Sequence, residues 1–197
     1  DVVALGEDGK QVGVISTING DANIGFYKEL AAADISADDI PVVAFSVGEE
    51  ELSGLDTSNL VGHLAAWNYF QSADTPANAE FIAAWKDFAG EDRVTNDPME
   101  AHYIGFNMWV NAVTAAGTTD VDAVRTAMYG QEFPNLTGGT AVMLPNHHLS
   151  KPVLIGEITA DGQFDIISQT SEVPGDAWTD FLPASAVLPS DWKDLGC

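Results

Sequence analysis

The sequence predicts an α/β fold with parallel strands, on three observations. Gly13–Asp21, G-V-I-S-T-I-N-G-D, begins apolar and β-branched and turns small and polar within a few residues, as a buried strand does when it ends in a binding turn. Pro41–Glu51, P-V-V-A-F-S-V-G-E-E-E, repeats that logic. A helical pattern lies between them, so strand, helix and strand fit within about 30 residues, the length of a βαβ unit with parallel strands and a right-handed crossover. Ligands of open α/β sheets sit outside the carboxyl ends of the strands. The turn residues Thr17, Asn19, Gly20, Asp21, Ser46, Gly48 and Glu49 are therefore the expected pocket rim.

The elements follow in order. Val2–Leu5 reads as the end of a helix, with Gly6 and Gly9 suiting the turn after it. Val12–Ser16 is the first strand. Asp21 is placed to cap a helix Ala22–Ala33 whose apolar face carries Ile24, Phe26, Tyr27 and Leu30. Val42–Phe45 is the second strand, and Glu49–Leu52 a short helix or turn. Leu60–Phe70, L-V-G-H-L-A-A-W-N-Y-F, is the third strand. Asp74-Thr75-Pro76 starts a helix with Phe81, Ile82, Ala84, Trp85 and Phe88 at helical spacing. Asp97-Pro98 opens the longest helix, to Ala116, with Met99, Tyr103, Phe106, Trp109, Val110 and Val113 as its apolar positions and Gly117 as its stop. Thr119-Asp120 caps a helix Val121–Tyr129, with Val121, Val124 and Met128 inward. Phe133–Met143 reads as an irregular hairpin. Pro152–Ile158 and Gln163–Ile167 flank Asp161-Gly162, the signal of a two-residue hairpin. From Ser171 the chain is Pro-rich and weakly patterned.

The chain has 197 residues, enough for a sizeable core, and 46% of them are hydrophobic, as in globular proteins. Thirty acidic residues against 7 basic ones give a formal charge of -23. That excludes nucleic acid as a partner, because phosphate neutralisation needs clustered Lys and Arg. It argues equally against an anionic membrane surface. No apolar run approaches the about 20 residues of a membrane span, so no membrane insertion is expected. The single cysteine, Cys197, permits no internal disulfide. The chain begins with Asp rather than Met, which reads as a processed form or a fragment.

No metal or cofactor is expected. His147-His148 is an adjacent pair without a third ligand at useful spacing, and suits a loop pair capping carbonyls. There is no G-x-S-x-G, P-loop or G-x-G-x-x-G. Glu49, Glu50 and Glu51 do not converge on one point, so catalysis by them is disfavoured. They either complement a helix start or, through Glu49, accept N–H bonds from a ligand. Met99 and Glu100 carry two readings as well: core and dipole partner, or a shared cleft with Thr17 and Ser46.

Several stretches carry a family resemblance. These are S-T-I-N-G-D at Ser16–Asp21, F-Y-K-E-L at Phe26–Leu30, P-V-V-A-F-S-V-G-E-E-E-L at Pro41–Leu52, G-H-L-A-A-W-N-Y-F at Gly62–Phe70, N-D-P-M-E-A at Asn96–Ala101, N-H-H-L-S-K-P-V at Asn146–Val153 and I-G-E-I-T-A-D-G-Q-F at Ile155–Phe164. From Val12 to Ile167 they resemble, in order, the substrate-binding proteins of urea-type ABC transporters. Short-chain amide sensors and branched-chain amino-acid binders are similar but more distant. A-W-T-D-F-L-P at Ala177–Pro183 resembles the family's usual ending.

The resemblance implies a type I periplasmic-binding-protein fold: doubly wound parallel sheets in two lobes that close over a ligand. It implies that this chain is an incomplete C-terminal portion. Residues 1–75 would belong to the second lobe, 76–150 to helices and a hairpin returning to the first, and 151–197 to a C-terminal hairpin, crossover and tail. Carried over, Thr17, Asn19, Ser46 and Glu49 fall on ligand-facing turns, and Met99, Glu100 and Tyr103 where a returning helix meets the cleft. The implied function is non-catalytic binding of a small neutral ligand, urea or a short-chain amide, in the periplasm, for delivery to the membrane permease of an ABC importer. A cytoplasmic amide-sensing regulator and a branched-chain amino-acid binder are the alternatives. The isolated chain is expected to fold poorly, because sheet edges and apolar faces would lie uncovered.

Overall fold

The computed structural model describes residues 11–175, together with Ala4. The readings of the first turn at Gly6 and Gly9, of Ala177–Pro183 and of Cys197 lie outside the described residues, as does the helix end at Val2–Leu5 apart from Ala4. In chain order the elements are β1 (Val14–Ser16), α1 (Ala22–Ala32), β2 (Val42–Ala44), α2 (Glu49–Leu52), β3 (Leu64–Trp67), α3 (Pro76–Ala89), α4 (Asp97–Ala116), α5 (Val121–Met128), β4 (Glu132–Pro134), β5 (Thr140–Met143), β6 (Leu149–Ser150), β7 (Leu154–Ile158) and β8 (Phe164–Gln169).

The predicted βαβ unit forms as expected. The main sheet runs β1-β2-β3-β7-β8, its first three strands parallel and its last two antiparallel. The register pairs Val14 with Val42, Ser16 with Ala44, and Val43 with Leu64, so β1 and β2 end side by side. Val42, Ala44 and Ala65 are buried with Tyr27, Leu30, Leu52, Leu154 and Ile158 in the main core. A second core gathers Tyr69, Phe81, Ile104, Met108, Leu136, Ala141 and Met143 under the small antiparallel sheet β4-β5-β6.

Four expectations are corrected. The strand read over Leu60–Phe70 is only Leu64–Trp67. A turn occupies 60–62, with Gly62 at φ +90, and buried His63 accepts the Val42 N–H at Nδ1, 3.1 Å. Asp21 stands at the α1 N-cap position without a capping side-chain bond, in helical backbone conformation. α4 is capped by Asn96, whose Oδ1 accepts from Met99 N at 3.0 Å, and it buries Glu100, Ile104, Met108 and Ala112. The aromatic positions Tyr103, Phe106 and Trp109 face outward instead, as do Phe88 on α3 and Val121 on α5. Finally, Asp161-Gly162 is not a two-residue turn: Thr159 N bonds Gln163 O, leaving a three-residue loop with Gly162 at φ +74.

Gly156 fixes how the hairpin closes on the sheet. It sits at the irregular step of the β7–β8 register, beneath stacked Phe70 and Phe164, whose centroids are 4.3 Å apart. A Cβ there would lie 2.9 Å from Phe164 Cδ1 and 3.0 Å from Phe70 Cε2. Gly156→Ala should therefore destabilise the protein by about 1–3 kcal/mol, read as a lower midpoint in guanidinium unfolding; an unchanged midpoint would show that the two rings shift freely.

Candidate functional site

The turns after β1 and β2 form one rim. Phe45 N donates to Ser16 O at 3.3 Å, and a single side chain then ties the two turns together. Asn23, fully buried in the first turn of α1, donates from Nδ2 to Ile18 O and to Ser46 O, each at 3.0 Å. Glu51 closes the second turn by accepting Gly48 N at 2.9 Å. Thr17, Asn19, Gly20 and Asp21 are exposed on this rim, Ser46 is half-buried, and Gly48 is buried against Trp67. The rim is acid-rich. Burial, aided by nearby Glu50 and Asp21, pushes the Glu51 carboxyl above its ordinary range. Neither turn contains Lys or Arg; Arg93, from another loop, comes within 3.9 Å of Glu50.

The remaining predicted residues go elsewhere. Glu49 is 1% exposed, and its Oε1 accepts from Ser72 N and Oγ, both at 3.2 Å. It lines a 340 Å³ cleft with Leu52–Thr57 and the β7–β8 turn, and no rim residue from Thr17 to Asp21 lines that cleft. Met99 and Tyr103 line a separate apolar groove of 660 Å³ with Phe81, Trp85, His102 and Phe106. Glu100 points the other way, fully buried and ion-paired with Lys151. Thus the structure gathers Thr17, Asn19, Gly20, Asp21, Ser46 and Gly48 at one rim, turns Glu49 and Glu100 inward, and places Met99 and Tyr103 on a different groove.

Burial decides the titration of the inward acids. It raises Glu49 from 4.5 to about 7, against the hydrogen bonds of Ser72. It raises Asp97 to about 6 and pushes Glu100 up, in both cases against the pull of Lys151. His63 is held below its ordinary 6.5 by burial. His147 meets the Tyr129 hydroxyl and His148 the Asn146 carbonyl; among the described residues no group of three or more His, Cys, Asp or Glu is placed to hold a metal. No helix among them is long and apolar enough to cross a membrane.

Sequence reasoning missed Asn23, Ser72 and Lys151. Asn23 carried a signal, since it shares the spacing of buried Tyr27 and Leu30 on α1. Ser72 and Lys151 carried none, because their partners lie 23 and 51 residues away.

Residues 2–184 match the periplasmic binding protein domain family. The chain belongs to that family. Its fold is similar to that of an amino acid ABC transporter substrate-binding protein from Pseudomonas fluorescens Pf-5, with a TM-score of 0.71 at 19% identity over 94% of this chain and 50% of that one. A solute-binding protein of an ABC transporter from R. palustris, solved with benzoate, gives a TM-score of 0.72 at 16% identity over 89% and 48%. A limonene hydroxylase from Geobacillus stearothermophilus is 37% identical over 113 residues, 57% of this chain and 20% of that protein. The chain spans about half the length of the solved structures it matches.

Three outcomes follow. Folded Glu49 keeps its proton between pH 4.5 and about 7, where the unfolded chain has released it. Its stabilising contribution is complete below pH 4.5 and is lost as pH rises through about 7. Thermal unfolding from pH 5 to 8 should show that loss, and Glu49→Gln should flatten the profile by roughly 1–3 kcal/mol; an unaltered profile would remove Glu49 as its source. His63 works oppositely, costing stability as pH falls below 6.5. Lys151→Met should cost about 3–5 kcal/mol at pH 8 by stranding the Glu100 charge, and adding Glu100→Gln should recover much of it.

Proposed function

We propose that this chain is the ligand-recognising part of a periplasmic solute-binding protein serving an ABC importer, and that it binds urea or a short-chain amide without catalysis. Family membership supports the transport role. The observation that carries the ligand class is the composition of the joined rim: Thr17, Asn19 and Ser46 oxygens beside the exposed Asp21 carboxylate, with no basic residue in either turn. Acceptors in that proportion suit a flat neutral molecule rich in N–H groups. An anionic ligand would favour a cation to pair with. Urea offers four N–H donors and one carbonyl, and backbone N–H groups of the turns serve the carbonyl.

Catalysis is not supported by the acids. Glu50 and Glu51 are taken up by Asn96 and Gly48, and Glu49 by Ser72. Closure of two lobes would exclude water, strengthen each bond to the ligand and give the permease a shape to recognise.

Calorimetry on the full-length binding protein should detect urea or acetamide, with a melting temperature that climbs with ligand concentration and a ligand concentration that stays constant over hours. Binding of leucine or benzoate, with neither amide bound at millimolar concentration, would overturn the assignment.

A further inference from the structure

We propose that Asn23 is the positioning residue of the ligand site: one buried amide that locks the turns after β1 and β2 into a single rim. The inference rests on the reading of that rim as the place where ligand binds. Asn23 need not touch the ligand; it acts through the backbone on either side.

The chemistry singles out this side chain. Its nitrogen carries two N–H groups, and each serves a carbonyl from a different turn, Ile18 O and Ser46 O at 3.0 Å. Because both partners are acceptors, only the NH₂ side of the amide can face them, so the orientation is fixed by chemistry. The amide's own oxygen is buried and finds no partner among the described residues. Asn23 is thus used as a donor alone. It shares the inward face of α1 with Tyr27 and Leu30, where an apolar side chain would avoid the desolvation penalty. What the amide adds in return is the bridge.

The bridge spans the sequence gap that the sheet leaves open. β1 and β2 are held together up to Ser16 and Ala44, and Phe45 N makes the last backbone link. Beyond it, Thr17–Asp21 and Ser46–Gly48 share no backbone hydrogen bond among the described residues. Their separation, and with it the spacing of Asn19 and Asp21 from Ser46, is set by Asn23. A ligand that spans both turns reads that spacing directly, since misplacement of bonding groups by even an ångström weakens them together.

The test is Asn23→Ala in the full-length binding protein, with Asn23→Ser, which retains one donor, as the milder variant should the first fail to fold. Affinity is read by calorimetry with urea and acetamide, and backbone hydrogen exchange is read at Gly20, Val47 and Gly48. The expected result is affinity weakened about tenfold or more in Asn23→Ala and less in Asn23→Ser, with faster exchange confined to the two turns. Unchanged affinity, or exchange that rises equally across β7 and β8, would overturn the proposal by reducing Asn23 to a contributor to global stability. If the unmodified protein binds neither amide, the ligand assignment fails while the exchange readout still decides whether Asn23 holds the turns.

Discussion

The structure depends on how three chain crossings are stitched where the main sheet meets the helices. The segments after β3, before α4 and between β6 and β7 all pass this point, and a buried ion pair joins two of them: Lys151, just past β6, with Glu100 in the first turn of α4. Two charges withdrawn from water at that depth are tolerable only as a pair. Polar links complete the junction. Asn68 donates to Pro152 O at 2.8 Å, and the Tyr69 hydroxyl meets Asn78 and Thr95, each at 2.7 Å. Thr75 caps α3 through Asn78 N while donating to Leu136 O. These links tie the two cores together across the junction, although Asp97 Oδ2 and Glu100 Oε1 are buried there without a partner among the described residues.

The rim stands at the same C-terminal edge of the parallel strands, with Gly48 against Trp67 and Glu50 accepting from Asn96, and is built more economically. Its residues are exposed and polar, and its geometry comes from buried groups beneath it, Asn23 above all. Burial separates the two roles. Carboxylates that went inward, Glu49 and Glu100, exchanged ligand access for hydrogen bonds to Ser72 and Lys151. Those that stayed at the edge, Asp21 and Glu50, set the electrostatic character of the opening.

Two surfaces among the described residues expose large apolar groups. β1 is an edge strand with Ile15 74% exposed, and α4 presents Tyr103, Phe106 and Trp109 outward, the last two stacked at 5.9 Å. The 660 Å³ groove between α3 and α4 belongs to the same surface.

The sequence by itself determined the parallel strands, the helices and most of their ends, because these follow from local patterns: β-branched runs, proline and glycine punctuation, and spacing of three and four. It also determined the small polar turns of the rim, which are contiguous in the chain. It misread the inward face of α4, since Tyr103, Phe106 and Val110 satisfy helical periodicity as well as Glu100, Ile104 and Met108 do, and hydrophobicity alone favoured them over Glu100. Only the tertiary structure decided which acids are buried, that Asn23 spans two turns, and that Lys151 meets Glu100. Each of those outcomes is a contact between residues 23 to 51 positions apart or more than one element removed, and the free energy that selects it arises from desolvation at a place that does not exist until the sheet has formed.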